Sequence, residues 1–206
     1  MTFISLALGF LLGLILALGR VYGKTIISGF CSGYIEVIRG TPLLVQLFII
    51  YFGLPQVGIN LDPLTAALIG FALNSGAYQA EYLRGSIQSI ESGQMVAARS
   101  LGMTKLKAIG NIILPQALRI SIPAWSNELI YLIKYTSIAY IIQVRELTAE
   151  GKFIAAHTFR FLEIFAIIAI IYLVLTMIFT EVIDRIEKKI SIPGIGTIKR
   201  SEHRII

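Results

Sequence analysis

Residues 95–102 read Met95-Val-Ala-Ala-Arg-Ser-Leu-Gly102, and residues 111–115 read Asn111-Ile-Ile-Leu-Pro115. They belong to the longest polar interruption in an otherwise apolar chain. Arg84, Glu91, Gln94, Arg99, Lys105 and Lys107 fall within residues 84–111, with apolar segments on both sides. Residues 94–100 are good helix formers, with Gly93 before them and Gly102 after Leu101. That pattern predicts a short helix with a glycine stop. A second helical stretch follows and is expected to break near Pro115, which has no amide proton. A compact, small-faced helical knob between two membrane spans suits docking on something outside the membrane.

Composition agrees with a membrane setting. The 206 residues are 56% hydrophobic and 15% charged, with mean hydropathy +0.78. Soluble domains carry about 25% charged residues, so this is a polytopic membrane protein. At about 20 apolar residues per span, the length allows roughly four to six spans and no sizeable soluble domain. Cys31 is the one cysteine, which excludes an internal disulfide and a cysteine-based metal cluster. His157 and His203 are too few and too far apart to suggest a metal site. The net charge of +6 reads as the positive-inside excess of a membrane protein rather than as a nucleic-acid footprint. No GxxxxGK[ST] pattern occurs, so the chain has no P-loop for ATP, and no HExxH or GxSxG pattern points to hydrolysis.

Downstream of the knob, a fourth membrane helix is expected from Pro115 to Ile142, bent at Pro115 and Pro123. Asn127, Tyr131 and Lys134 share one of its faces. Lys134 is a charge inside a span; it marks a functional site or pairs with Glu81, Glu128 or carbonyls at a helix break. Residues 145–160 are polar and expected outside as a surface helix. Glu163 opens the last span, residues 164–179, and residues 181–189 mark its exit into the cytoplasm. The tail, residues 191–206, carries Pro193, Gly194, Gly196, Lys199, Arg200 and Arg204 and is expected to be loosely ordered.

Upstream, residues 2–18 form a first span closed by Arg20 and Lys24. The positive charges follow the apolar run and no A-x-A-like site ends it, so it is not a signal peptide. Thr41-Pro42 opens the run 43–54; its helix is expected to start near Ser32 and bend at Pro42. Gln46 suits an interhelical hydrogen bond better than a ligand contact. Residues 55–63 lack Lys and Arg and are expected outside. In the third span, residues 64–83, Gly70, Asn74, Tyr78 and Glu81 share a face that must meet protein or water. The count is five spans, with the N-terminus outside and the C-terminus cytoplasmic. Residues 1–190 are expected to form one transmembrane domain, with a cytoplasmic loop over about residues 86–111.

Ala97-Ala98-x3-Gly102-x9-Ile112-x-Leu114-Pro115 resembles the "EAA" loop of binding-protein-dependent ABC transporter permeases. Val96 stands where that family usually has a glutamate. Glu36-Val-Ile-Arg-Gly-Thr-Pro-Leu-Leu-Val-Gln46 and residues 88–119 narrow the resemblance to the polar amino acid permeases. The likeness runs over roughly residues 2–188. It implies an all-α, MetI-like type I importer permease fold in the cytoplasmic (inner) membrane of a prokaryote, with the chain starting late relative to relatives. It implies coupling through Ala97, Ala98, Arg99, Gly102, Leu114 and Pro115 to an ATP-binding cassette dimer. ATP and Mg belong to that partner, and no cofactor is expected in this chain. A second permease copy or close homologue and an extracytoplasmic amino acid binding protein complete the implied assembly.

An amino acid zwitterion needs partners for both charges when it crosses a low-dielectric core. Asn74, Ser75, Tyr78, Asn127 and Glu163 are the candidate substrate-binding residues on that ground. Counting Glu81, Glu128 and Glu163 against Lys134 favours arginine, lysine or histidine within a polar amino acid class that includes glutamine. The rival readings are a secondary amino acid transporter without an ATPase partner, which would more often be longer and repeated, and a membrane enzyme, which would need convergent catalytic groups.

Overall fold

The computed structural model describes residues 1–190; the tail at 191–206 lies outside the described residues. The described chain is helical throughout, with α1 Thr2–Tyr22, α2 Thr25–Gly40, α3 Leu43–Phe48, α4 Pro63–Gln88 and α5 Ser92–Ser100. Then come α6 Lys105–Ala108, α7 Leu114–Tyr135, α8 Leu147–Thr158 and α9 Phe161–Ile190. A π turn and a 3₁₀ turn extend α3 to Val57, a π turn joins α6 to α7, and a 3₁₀ stretch carries α7 on to Ile142.

The five expected spans are α1, the bent pair α2–α3, α4, α7 and α9. By length and hydropathy, α1 and α9 alone would cross a bilayer, and α2–α3 would count as a third span. At 1.5 Å per residue α4 and α7 are also long enough, about 39 and 33 Å. Their lower apolarity follows from the polar side chains they bury: Ser75, Gln79 and Ser86 on α4; Ser121, Ser126 and Glu128 on α7.

Helix α4 is the centre, packed on by α1, α2, α3 and α7. Small residues make the closest approach, against α1. A Cβ at Gly13 would lie 2.9 Å from the Gly76 carbonyl oxygen and 3.0 Å from the Ala80 amide nitrogen, so only glycine fits there. Gln79, nearly inaccessible, ties three helices together. Its Nε2 donates to the Leu6 carbonyl of α1 at 3.2 Å and to Ser75 Oγ at 2.9 Å, and its Oε1 accepts from Trp125 Nε1 of α7 at 2.8 Å. Phe71, Leu47, Leu132 and Ile142 fill the core beside it. Helix α9 instead exposes Leu162, Ile167, Ile170, Leu173 and Met177, an apolar face suited to lipid.

Three expectations need correction. The second span does not begin near Ser32: α2 starts at Thr25, ends at Gly40 and meets α3 at 104°. Thr41, forced out of helical geometry by Pro42, is extended (φ −115°, ψ 144°). The Gln46 amide crosses the corner, donating to the carbonyls of Ile38 (2.7 Å) and Thr41 (3.1 Å). The chain does not break at Pro115 either. Helix α6 runs through the π turn Ile109–Ile113 into α7, and Pro115 sits in the first turn of α7, where its ring and missing N–H are accommodated. Finally, α4 continues through Gln88, so the excursion between spans starts at Ser89 rather than at 84–86.

Candidate functional site

Two regions carry unusual chemistry. The first is the excursion between α4 and α7. Helix α5 closes on Gly102 at φ +81°, with the Met103 amide donating to the Ala98 carbonyl (3.1 Å) and the Gly102 amide to Arg99 (3.0 Å). This is a Schellman closure, and the left-handed residue explains the glycine. Arg99 Nη1 donates to the Met103 carbonyl at 3.0 Å, reinforcing the turn. The six coupling candidates divide by exposure. Ala98 is 2% exposed and faces inward. Ala97, Arg99, Gly102 and Pro115 are exposed, and Leu114 is half-buried. Val96, Leu101 and Leu106 add an outward apolar surface that the motif alone does not reveal.

The second region is a cavity of about 730 Å³ between α4, α7 and the α2–α3 bend. Asn74, Tyr78 and Tyr82 reach it from α4 at four-residue spacing, one face of a helix. Glu128, Tyr131 and Tyr135 reach it from α7 at spacings of three and four. The bend supplies Arg39, Gly40, Thr41, Pro42, Leu43 and Leu44, and the 3₁₀ stretch supplies Ile138. Asn74 Nδ2 donates to Gln46 Oε1 at 3.0 Å, so the wall and the corner are one hydrogen-bonded unit. The Tyr82 hydroxyl donates to Glu128 Oε2 at 3.3 Å.

Of the five candidate substrate-binding residues, Asn74 and Tyr78 line the cavity. Ser75 is fully buried behind that wall and accepts from Gln79. Asn127 is half-buried on α7 and is not among the lining residues. Glu163 is not brought to the cavity: it is exposed at the start of α9, with Arg160 Nε 3.6 Å from its Oε1.

Glu81, at the foot of the α4 face, is surrounded by cations. Arg20 of α1 pairs with its Oε1, Arg39 Nη1 of α2 lies 3.5 Å from its Oε2, and Arg84 Nη2 lies 2.9 Å from the same oxygen. Arg20 also reaches Glu36 at 3.7 Å. A mostly buried carboxylate needs such partners. Lys134 therefore pairs with neither carboxylate proposed for it; its ammonium sits 4.8 Å from the Tyr131 ring centroid. Sequence reasoning missed Tyr82, Glu128 and Arg39 as cavity residues. The four-residue step from Tyr78 to Tyr82 was a signal for the first, whereas Arg39 reaches the cavity only because the chain turns at Pro42.

Helices suited to crossing a membrane around a polar cavity, with a helical knob between two of them, are the architecture of a transport component. The chain belongs to the family of binding-protein-dependent transport system inner membrane components, which matches residues 9–192. It is 40% identical over 191 residues to the glutamine transport system permease protein GlnP of Escherichia coli (strain K12), covering 92% of this chain and 87% of that one. It is similar to a solved structure titled as an amino acid ABC transporter with histidines, with TM-score 0.84, 43% identity, and 91% and 88% of the two chains covered. A structure of the MetNI methionine ABC transporter in inward-facing conformations superposes with TM-score 0.78 at 21% identity over 93% of this chain and 92% of that one, a likeness of fold. The MetI-like all-α fold expected from the loop motif is thus present.

Proposed function

We propose that this chain is the permease subunit of an ATP-driven importer of polar amino acids. The observation that carries the reading is the cavity itself: within a helical bundle it places a cation, a buried carboxylate, an amide and tyrosines around one space. Pockets of roughly 300–1,000 Å³ with a few placed polar groups are the usual form of small-molecule sites. The relative named as a glutamine permease and the transporter structure titled with histidines support amino acids as the cargo. Support for a cationic side chain narrows to Glu128, since three arginines already match Glu81 and Arg160 stands beside Glu163.

In this reading the exposed residues of the α5 loop, with Val96 and Leu101 beside Ala97 and Gly102, dock on an ATP-binding cassette subunit that holds ATP and Mg. A second permease copy or close homologue completes the pathway, and an extracytoplasmic binding protein delivers the amino acid. The loop faces the cytoplasm, as does the C-terminus, and the N-terminus lies outside.

The test is co-purification with a cassette subunit, followed by amino acid uptake into proteoliposomes. Uptake that requires ATP and the cassette supports the proposal. Uptake driven by an ion gradient with no cassette present would establish the secondary-transporter reading instead.

A further inference from the structure

We propose, resting on the reading of the cavity as an amino acid path, that Arg39 and Glu128 hold the two backbone charges of the cargo. The Arg39 guanidinium takes the α-carboxylate, and the Glu128 carboxylate takes the α-ammonium. The ligand class is the free α-amino acid zwitterion, recognised through its backbone.

Arg39 is placed for exchange. It lines the cavity at the end of α2, next to the bend, with its guanidinium carbon 5.2 Å from the Tyr78 ring centroid. Of the three arginines on Glu81 it makes the longest ion pair, 3.5 Å, and is the most exposed, 40% against 23% for Arg20 and 30% for Arg84. When Arg39 turns to another carboxylate, Glu81 keeps Arg20 and Arg84, so no buried charge is orphaned. The planar guanidinium fork matches a carboxylate in two-point geometry.

Glu128 is the complementary half. It is 6% exposed and borders the same cavity. Among the described residues no Lys or Arg forms an ion pair with it. The Tyr82 hydroxyl donates to one of its oxygens. A carboxylate offers about four lone-pair sites, and an ammonium brings both the missing charge and three donors.

The assembled permease–cassette complex in nanodiscs tests this by equilibrium binding without the binding protein. L-[³H]glutamine and L-[³H]histidine are the first probes, then the other proteinogenic amino acids. The amino acid that binds is compared with its α-carboxamide and with its des-amino analogue. Wild type is expected to prefer the intact amino acid over each analogue by about tenfold or more, the scale of a charge-assisted hydrogen bond. Arg39→Gln should lose discrimination against the carboxamide alone, and Glu128→Gln against the des-amino analogue alone. If Arg39→Gln does not assemble, Arg39→Lys keeps the charge near Glu81 and loses the fork, and should lower carboxamide discrimination several-fold. Equal weakening toward all three ligands, or unchanged discrimination, overturns the assignment while leaving the importer reading intact. Wild type that neither binds nor transports any amino acid overturns both.

Discussion

Trp125 Nε1 donates to Gln79 Oε1 at 2.8 Å, joining α7 to α4 at the point where Gln79 also reaches the Leu6 carbonyl of α1. One side chain thereby sets the spacing of three helices. Gln79→Leu keeps the volume but leaves the indole N–H without its acceptor, at a cost of about 1–3 kcal/mol. Trp125→Phe leaves the buried Gln79 Oε1 without its donor and should also cost about 1–3 kcal/mol. Thermal unfolding in detergent of both variants and the double variant measures the coupling; strictly additive losses would remove the bond from the account.

Gly102→Ala should destabilise the loop by about 1–2 kcal/mol, because an L side chain resists a φ of +81°. No atom lies within 4 Å of the added methyl, so backbone strain is the whole effect. Gly93→Ala, on the same helix with nothing near its added methyl, is the control and should be neutral or stabilising. Hydrogen exchange of the Met103 amide reads the loss directly. Cassette association is expected to fall for Gly102→Ala and to hold for Gly93→Ala.

Asp62 caps α4 by accepting from the Thr65 amide at 3.0 Å, and hydrogen bonding from the Thr65 side chain, then from its amide, holds the carboxyl below the ordinary value. A depressed folded-state pKa gives stability that is present above the unfolded pKa and lost as pH falls through the folded one. Asp62→Asn keeps an acceptor and removes the titration. The margin of wild type over this variant should therefore be constant at neutral pH and shrink below about pH 4. A margin that grows on acidification would contradict the assignment.

Topology is open to cysteine labelling in a Cys31→Ser background. Asn60→Cys, in the exposed segment before α4, should react with an impermeant maleimide in intact cells. Leu106→Cys, equally exposed, should react only after permeabilisation. Labelling of both from outside would overturn the orientation.

Glu163→Gln removes a charge that faces outward beside Arg160, away from the cavity residues. Uptake should remain within about twofold of wild type, as for most surface substitutions away from a site. A selective loss of cationic amino acids would return Glu163 to the substrate path.

Much of the fold was legible because local chemistry specifies it. Gly102 closes α5 in the left-handed angle that a glycine stop implies, whereas Gly93, expected before the helix, lies in its first turn. Gln46 makes the interhelical bond expected of a lone amide in an apolar run. The 104° corner was not legible in size, since Pro42 specifies a departure from helix but the angle is set by where Gln46 and Leu47 can pack. The partners of Glu81 were hidden for a different reason. Arg84 is a same-helix neighbour at i,i+3, but Arg20 and Arg39 come from α1 and α2, and only tertiary packing brings them to that carboxylate. A one-dimensional charge count therefore left Glu81 among the carboxylates in excess over Lys134, when the protein itself neutralises it.

The π turn at Ile109–Ile113 has a mechanical meaning. Because the chain stays helical from Lys105 into α7, the exposed loop and the cavity wall at Glu128 are joined by continuous helix, about 35 Å of it at the ideal rise, with Pro123 inside. No flexible connector separates them. In the proposed importer, a push delivered at Thr104 would reach Glu128, Tyr131 and Tyr135 through this one run of helix, and its bending at Pro123 would set how much of the stroke arrives.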